Sequence, residues 1–576
     1  MFPIDALRTA VASYEPYLQA SGEMLDPVFA EPTQYGTPFH ALCQAVLAAK
    51  GSPSERDQRL ARAIKGLDAS LRYVSDPQLT SPASGVERTT GTLSAINHRD
   101  FFWPPILKTY RILRDLGVPI AEEFARRIAA VDVPAVFRMR PPSNWAAVWV
   151  AGEWLRIQEG LSPLSLDQFD RWLGTFFANH ILVEQGLYQE PGHPNSYDLF
   201  TRFHLADILT AGYDGAWREQ LERLMVTGLD RSLGVQLSDG SLASAFRSTG
   251  LTWTVGAQCA YFCLAANYFR ERDPQRSSQA VEAARRAFAS FIRWQRPGGP
   301  YSPVENLLPP SYRVGYEVYT ADAHHGNLPM AFLALAILNG LDQPPISGQV
   351  GRASMMFIEG DPTYRALVHC GPYSAHVNAF PSPKYDAFGL VDLTFGPNRF
   401  FHFASSVRHL SEPGFYNLGL AIRASAGRSR FRAIAQEYPS LIGKIEQGPT
   451  DASLRVRARV KGDPYTYEMS LRADETGVDV QERLPGLVGY KTLLIPYLRD
   501  CGSGHVTEIT AEASEEKAVV RFRMGKEVIR IRTDGIVDHI MDLPYGYENR
   551  RGLCGLLRVD MAQESEGVRY RVEIEA

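Results

Sequence analysis

The sequence lacks the signatures that would settle its chemistry at sight. It has no Gly-x-x-x-x-Gly-Lys phosphate loop, no Gly-rich dinucleotide fingerprint after a strand, no Gly-x-Ser-x-Gly elbow and no His-Glu-x-x-His. Those absences remove the commonest nucleotide, esterase and metalloprotease readings. Cysteine is scarce: Cys43, Cys259, Cys263, Cys370, Cys501 and Cys554 are scattered through 576 residues with no Cys-x-x-Cys pair. This suits a reducing compartment and argues against a structural zinc site. Cys259 and Cys263, four apart in an apolar run, read as buried small hydrophobes. The formal charge of −4 shows no basic excess, so neither a nucleic acid nor an anionic membrane has bulk electrostatic support as a partner. No uninterrupted apolar run reaches the roughly 18 residues of a membrane span. The first residues, Met1-Phe-Pro-Ile-Asp-Ala-Leu-Arg, put acidic and polar groups where a secretory signal needs an apolar core. The expectation is a cytoplasmic protein without membrane or nucleic-acid partners.

What is present is ordinary in bulk and informative in order. A hydrophobic content of 45% and a charged content of 22% are those of a soluble globular protein. The length exceeds the roughly 250–300 residues at which one core stops growing, so two domains are expected. Residues 1–340 carry segments of 3.6-residue periodicity: Leu42–Ala49, Arg56–Tyr73, Pro105–Leu116, Ile120–Val131, Trp145–Gln158, Leu166–Glu184, Asp198–Ala211, Ala216–Arg231, Thr252–Arg270, Ser277–Trp294 and Leu328–Leu338. Loops of Pro, Gly, Ser and Asn separate them. Helical hairpins with irregular, aromatic-rich connections predict an (α/α)n toroid, which gathers its loops at one mouth suited to an extended ligand. Residues 341–355 lose all period in a Pro-, Gly- and Ser-rich run and read as a linker. Residues 356–576 switch to period two, as in Leu454–Val460, Tyr465–Ala473, Val478–Arg483, Lys517–Arg523, Val528–Thr533 and Val568–Ile574. They predict an antiparallel β-sandwich following the toroid.

The polar chemistry concentrates in one stretch, Tyr188 to His204, where Tyr188, Glu190, His193, Tyr197, Asp198, Arg202 and His204 surround a Pro-Gly break. Its left half is turn chemistry and its right half a helix start, which puts His193 and Tyr197 at the junction. Loops held by a rigid scaffold are where binding groups collect; a helix–helix connection with polar filler is the plain alternative. Four other stretches keep it company. Asn144-Trp145 follows Pro141-Pro142-Ser143, where Asn or Ser serves as a helix N-cap or as an amide donor to a carboxylate. Arg247 sits in a loop of Ser, Thr and Gly with room to fork onto a carboxylate. Tyr316, Glu317, Tyr319, His324 and His325 form the last polar cluster before the final helix. Adjacent histidines point apart on a regular element, so no metal is expected there. His98 and Trp103 belong to an aromatic-basic loop that suits stacking on a sugar ring or packing beneath a loop.

Taken in order, Asn144-Trp145, His193 with Tyr197, and Arg247 resemble the Asn, His, Tyr and Arg of α/α-toroid polysaccharide lyases of the chondroitin AC and heparinase II type. The chain is also similar to a bacterial toroid-plus-sandwich domain-of-unknown-function family that includes exo-acting β-glucuronidases. That second likeness is carried by Asn144-Trp145, Tyr188–His204, Asp239-Gly-Ser with Arg247-Ser248, Gly315-Tyr316-Glu317, His376 and Lys384-Tyr385-Asp386-Ala387-Phe388-Gly389. The resemblance implies β-elimination at a uronic acid; no cofactor is expected. Asn144 and Arg247 would neutralise the C5 carboxylate. His193 or Tyr197 would take the α-proton, and Tyr197 would protonate the leaving oxygen. Arg247 would lower the Tyr197 pKa. The His193–Tyr197 spacing is shorter than in the chondroitin lyases, which leaves His204 as a second candidate. Hydrolysis is the rival mechanism and needs two carboxylates, for which Glu190, Asp198, Asp239, Glu317 and Asp322 are available, Glu190 or Glu317 acting as acid. A carbohydrate-binding protein without catalysis is the third reading. The expected partner is a uronic-acid-containing oligosaccharide cleaved in exo fashion. The oligomeric state is left open, a homodimer included.

Overall fold

The computed structural model describes the chain except residues 77–97, 138, 191–194, 244–246, 318, 345–353, 358–363, 381–386, 397, 403–416, 427–429, 438, 451, 545 and 576, together with the side chains of 98, 195, 354–357, 398–402 and 436. Six helices form a closed inner ring: Gly36–Lys50 touches Trp103–Asp115, which touches Asn144–Gln158, then Asn195–Thr210, Trp253–Phe269 and Asp322–Leu338, which returns to the first. Inner helices are buried over most of their surface, although Trp103–Asp115 keeps a polar stripe at Lys108, Arg111, Arg114 and Asp115; of the 17 residues of Trp253–Phe269, only Asn267 and Tyr268 are not buried. Each is backed by an outer helix that buries one stripe, as Pro274–Ile292 does through Ala280, Ala283, Ala284, Ala287, Phe288 and Phe291. The third pair is stitched by rings, with Trp149 against Trp172 at 4.9 Å and Trp154 against Phe169 at 5.1 Å.

The helix Pro3–Ser13, which the periodicity left unread, backs the last inner helix and the first. The Tyr14 hydroxyl donates to the Asp322 carbonyl at 2.9 Å and fastens that joint. The outer helix expected over 166–184 stops at Asn179, and a two-stranded hairpin, Ile181–Leu182 with Leu187–Tyr188, carries the chain back to the mouth. The final helix begins at Asp322, ahead of the expected Leu328, and passes through Pro329. No described helix is long and apolar enough to cross a membrane.

After the helices come three antiparallel sheets: five strands over 354–402, six drawn from 419–565 and nine drawn from 440–575. Strands with one wet face alternate as expected. Ser453–Arg459 pairs with Thr466–Asp474 in the register Val456↔Met469, with the buried residues facing one way. The three strands of the five-stranded sheet whose side chains are described, Arg365–Cys370, Tyr373–Asn378 and Gly389–Phe395, do not alternate, because both faces are covered. Ala366 and Val368 enter the sandwich core while Leu367 enters the barrel core. On the barrel side, Ser374 Oγ accepts from the Ser238 N–H at 2.9 Å and Thr394 pairs with the Ser238 hydroxyl at 2.7 Å.

Asp100, in the turn before the second inner helix, is buried, and that burial raises its carboxyl to about 7 from an ordinary 3.8. The folded state therefore holds the proton more tightly than the unfolded chain. The associated stability is complete below pH ~4 and is lost as pH rises toward ~7. Asp100→Asn is expected to stabilise the protein by roughly 2–4 kcal/mol above pH ~7. No gain is expected at pH ~3.5. Urea unfolding at the two pH values measures the difference.

Candidate active site

The N-terminal ends of the inner helices converge. Tyr35 stacks on Phe101 at 4.8 Å; Phe101 meets Trp145 edge-on at 5.6 Å and Phe200 at 5.8 Å; Tyr197 lies 5.9 Å from Trp253. Helix N-termini carry partial positive charge, so this rim favours an anion. The rim is lined by aromatic rings from five of the six inner-helix starts, with His324 and His325 from the sixth, of the kind that take the apolar face of a sugar.

Capping is settled in favour of Ser143. Its Oγ accepts from the Ala146 N–H at 3.1 Å, and the Asn144 side chain is thereby released. Asn144 Nδ2 donates to Glu190 Oε1 at 2.7 Å. The other Glu190 oxygen accepts from the Tyr188 hydroxyl, which also donates to the Pro142 carbonyl at 2.7 Å. Burial, reinforced by the neighbouring Glu190 charge, pushes the Tyr188 phenol well above the usual range. Beneath this pair, Asp198 accepts from the Tyr188 N–H at 2.7 Å and from Arg202 Nε and Nη2 at 2.8 and 2.9 Å, with Arg231 at 3.4 Å. The hairpin and the helix start are thus pinned to one buried anion.

Tyr197 occupies the first turn of its helix. Its hydroxyl meets Ser248 Oγ at 3.0 Å, and Ser196 Oγ donates to the Arg247 carbonyl at 3.1 Å. Ser248 holds a left-handed φ of +70°, the strained backbone that recurs at functional positions. Arg247 is exposed and lays its guanidinium over two rings, 5.8 Å from the centroid of Tyr197 and 5.4 Å from that of Tyr319. The expected lowering of the Tyr197 pKa is reversed. Burial raises it by more than Arg247 and Ser248 lower it, while Glu317 and Glu190 add to the rise. The resting phenol therefore stays protonated.

The cluster after residue 313 closes the rim. Glu317 is buried and paired with Arg550 of the β region. His325 Nε2 stands 3.5 Å from the Tyr35 hydroxyl, and His324 Nε2 lies 3.0 Å from the Tyr319 carbonyl. The two imidazoles do not splay apart as expected; in the first helical turn their ring centroids lie 4.2 Å apart, the planes tilted by 50°. The structure thus brings together Asn144, Trp145, Tyr188, Glu190, Tyr197, Arg247, Glu317, Tyr319, His324 and His325. Ser248, Tyr35, Trp253 and Arg550 join them without having been assigned a role from sequence. Of these only Ser248 left a signal, as the neighbour of Arg247 in a small-residue loop.

Three other candidates sit elsewhere. His204 is two turns deeper on the same helix, wedged between Phe200 and Phe203 at 4.7 and 5.1 Å, and its burial lowers the imidazole to about 3. It is a neutral core residue. Trp103 is fully buried with its indole N–H on Glu153 at 3.0 Å, so it packs beneath the loop rather than facing a ligand. Tyr316 is buried in a network with Arg296 (2.9 Å) and Asp322 (3.0 Å) that fixes the last helix start. His193, Lys384, Tyr385, Asp386 and the side chain of His98 lie outside the described residues. His376 is buried mid-strand in the five-stranded sheet. Among the described residues no three potential ligands gather into a metal site.

No family model matches the sequence, and neither does any curated protein. Solved structures do match in fold. The chondroitin AC lyase of Streptomyces coelicolor A3 in complex with chondroitin sulphate is similar with a TM-score of 0.51 at 11% identity, over 100% of this chain and 79% of that one. A tyrosine-to-alanine mutant of that lyase gives 0.52 at 12%, with the same coverage. The fold is that of toroid polysaccharide lyases, a helical toroid followed by antiparallel β-sheets. At this identity the likeness concerns the fold alone.

Proposed function

We propose that the chain cleaves uronic-acid-containing oligosaccharides by β-elimination at the Tyr197–Arg247 mouth. The observation that carries this is the Arg247 guanidinium laid across Tyr197 and Tyr319 beside a phenol that burial keeps protonated. A uronate carboxylate set on Arg247, with the Asn144 amide as second donor, loses its negative charge, and its α-proton at C5 becomes more acidic. A base removes that proton; His193, four residues before Tyr197, is the nearest imidazole in sequence. The electron pair forms the C4–C5 double bond and expels the glycosidic oxygen, which takes its proton from Tyr197.

Hydrolysis fits the carboxylates less well. Asp198, Asp239, Asp322 and Glu317 are engaged by Arg202, Arg293, Arg296 and Arg550 respectively. Glu190 is held by the neutral donors Asn144 and Tyr188. A second carboxylate of that kind is what a hydrolase would need across the bond.

The test is ultraviolet absorbance during incubation with a panel of uronic-acid oligosaccharides. Elimination predicts growth of the band of a double bond conjugated to a carboxylate, and an exo mode predicts a single small product from the start. New reducing ends without that band would replace this proposal with hydrolysis at Glu190. No cleavage of any substrate would point to a binding protein.

A further inference from the structure

Glu317, a carboxylate whose charge acts on both the Tyr197 and the Tyr319 phenol, is held from outside the barrel. Glu317 and the Arg550 that donates to it are each 1% exposed. Arg550 belongs to the tight turn between strands Tyr547–Asn549 and Gly552–Ser565 of the six-stranded sheet. That turn is threaded between the two barrel loops that carry Arg247 and Glu317. A Cβ at Gly250 would stand 3.0 Å from the Arg550 side chain, and one at Gly315 would stand 2.6 Å from its Cα. Both glycines have left-handed φ, +72° and +78°, so no other residue suits either place. Asn306 locks the joint by donating to the carbonyls of Val314 (3.1 Å) and Arg550 (3.0 Å).

The two neighbouring arginines divide the work. Arg551 runs to Glu305 at 2.5 Å and Asp392 at 3.4 Å, which ties the sheets to the barrel. Arg550 points to the mouth instead, and its charge is felt by the Tyr319 phenol. Glu317 pairs with Arg550, and its charge acts on Tyr319, Tyr197 and Arg247.

We infer that Arg550 is a positioning residue: a cation delivered by the β region that fixes Glu317 as the anion beside Tyr197, Tyr319 and Arg247, so that the barrel's active site is incomplete without the C-terminal sheets. Only the kinetic arm of its test rests on the elimination proposed above. A buried carboxylate stripped of its partner is costly and takes up a proton. The full-length Arg550→Met variant should therefore show, in infrared difference spectra at neutral pH, the band of a protonated carboxyl. The Arg550→Met, Glu317→Gln double variant should lack it.

On a cleaved substrate, Arg550→Met should lower kcat roughly 10–100-fold with KM within about threefold, and Arg550→Lys should recover most of the loss. Arg551→Met, which loosens the docking alone, should lower Tm while kcat stays within about twofold. Absence of the carboxyl band, or an equal kcat loss in Arg551→Met, would overturn the inference. If the wild type forms no unsaturated product, elimination fails and the infrared comparison alone decides the role of Arg550.

Discussion

Tyr197→Phe is expected to lower kcat by about a thousandfold, within the 10²–10⁴ range that a positioned proton donor supplies, and to leave KM nearly unchanged. The ring itself stays: its contact with Trp253 and its place under Arg247 depend on the aromatic face, not on the hydroxyl. The variant loses one oxygen that meets Ser248 Oγ, a cost to stability of about 1 kcal/mol. A folded protein that still binds substrate but forms the double bond far more slowly is therefore the predicted phenotype. Stopped assays at saturating substrate, with binding followed by calorimetry, separate the two effects. A kcat within tenfold of wild type would remove Tyr197 from the reaction and turn attention to Glu190.

Asp198→Asn is expected to be the most damaging change to stability near the mouth, by about 3–5 kcal/mol, because it leaves a buried pair broken rather than replaced. Asp198 is the common acceptor for Arg202, Arg231 and the Tyr188 backbone. Neutralising it leaves two arginines buried without their anion. Arg202 retains the Gly228 carbonyl at 2.9 Å and the Ser232 hydroxyl at 3.0 Å, which satisfy protons but not charge. The hairpin ending at Tyr188 loses its anchor at the same time, so the Glu190–Asn144 bond should loosen. Equilibrium denaturation in urea gives the loss directly. A change under about 1 kcal/mol would mean that the network is dispensable.

Much of the mouth was legible in the residues. Tyr197, Arg247, Asn144 and Glu317 stand at helix starts or in the loops before them, and a toroid gathers those together. His204 illustrates where that reasoning ends. Seven residues from Tyr197, it shares a helical face with it but lies about 10 Å further along the axis, in the core. Periodicity reports the face and not the depth. Trp103 misled for a related reason, since an aromatic beside Arg looks the same on a rim and in a core.

In the β region, strands with clear alternation were read more readily than two strands of the five-stranded sheet. Arg365–Cys370 and Tyr373–Asn378 are buried on both faces and carry no alternation to find. Arg550 left no trace. It is 233 residues from Glu317, in a turn whose only oddity is two adjacent arginines. Nothing local says which surface such a turn will meet.

The first helix is also the last piece of the ring. Tyr14 reaches across 308 residues to Asp322, so a growing chain makes the outer half of the sixth hairpin first and its inner half last. At about 5–20 residues per second, the wait is roughly 15–60 s. During that time the other hairpins form an open arc, with apolar seams uncovered along Gly36–Lys50 and along the place the last helix will fill. Tyr35 stands on one side of that seam and His324 and His325 on the other. The mouth therefore does not exist in the arc, and the appearance of activity during refolding would time the closure of the ring and the docking of the sheets on it rather than the formation of its helices.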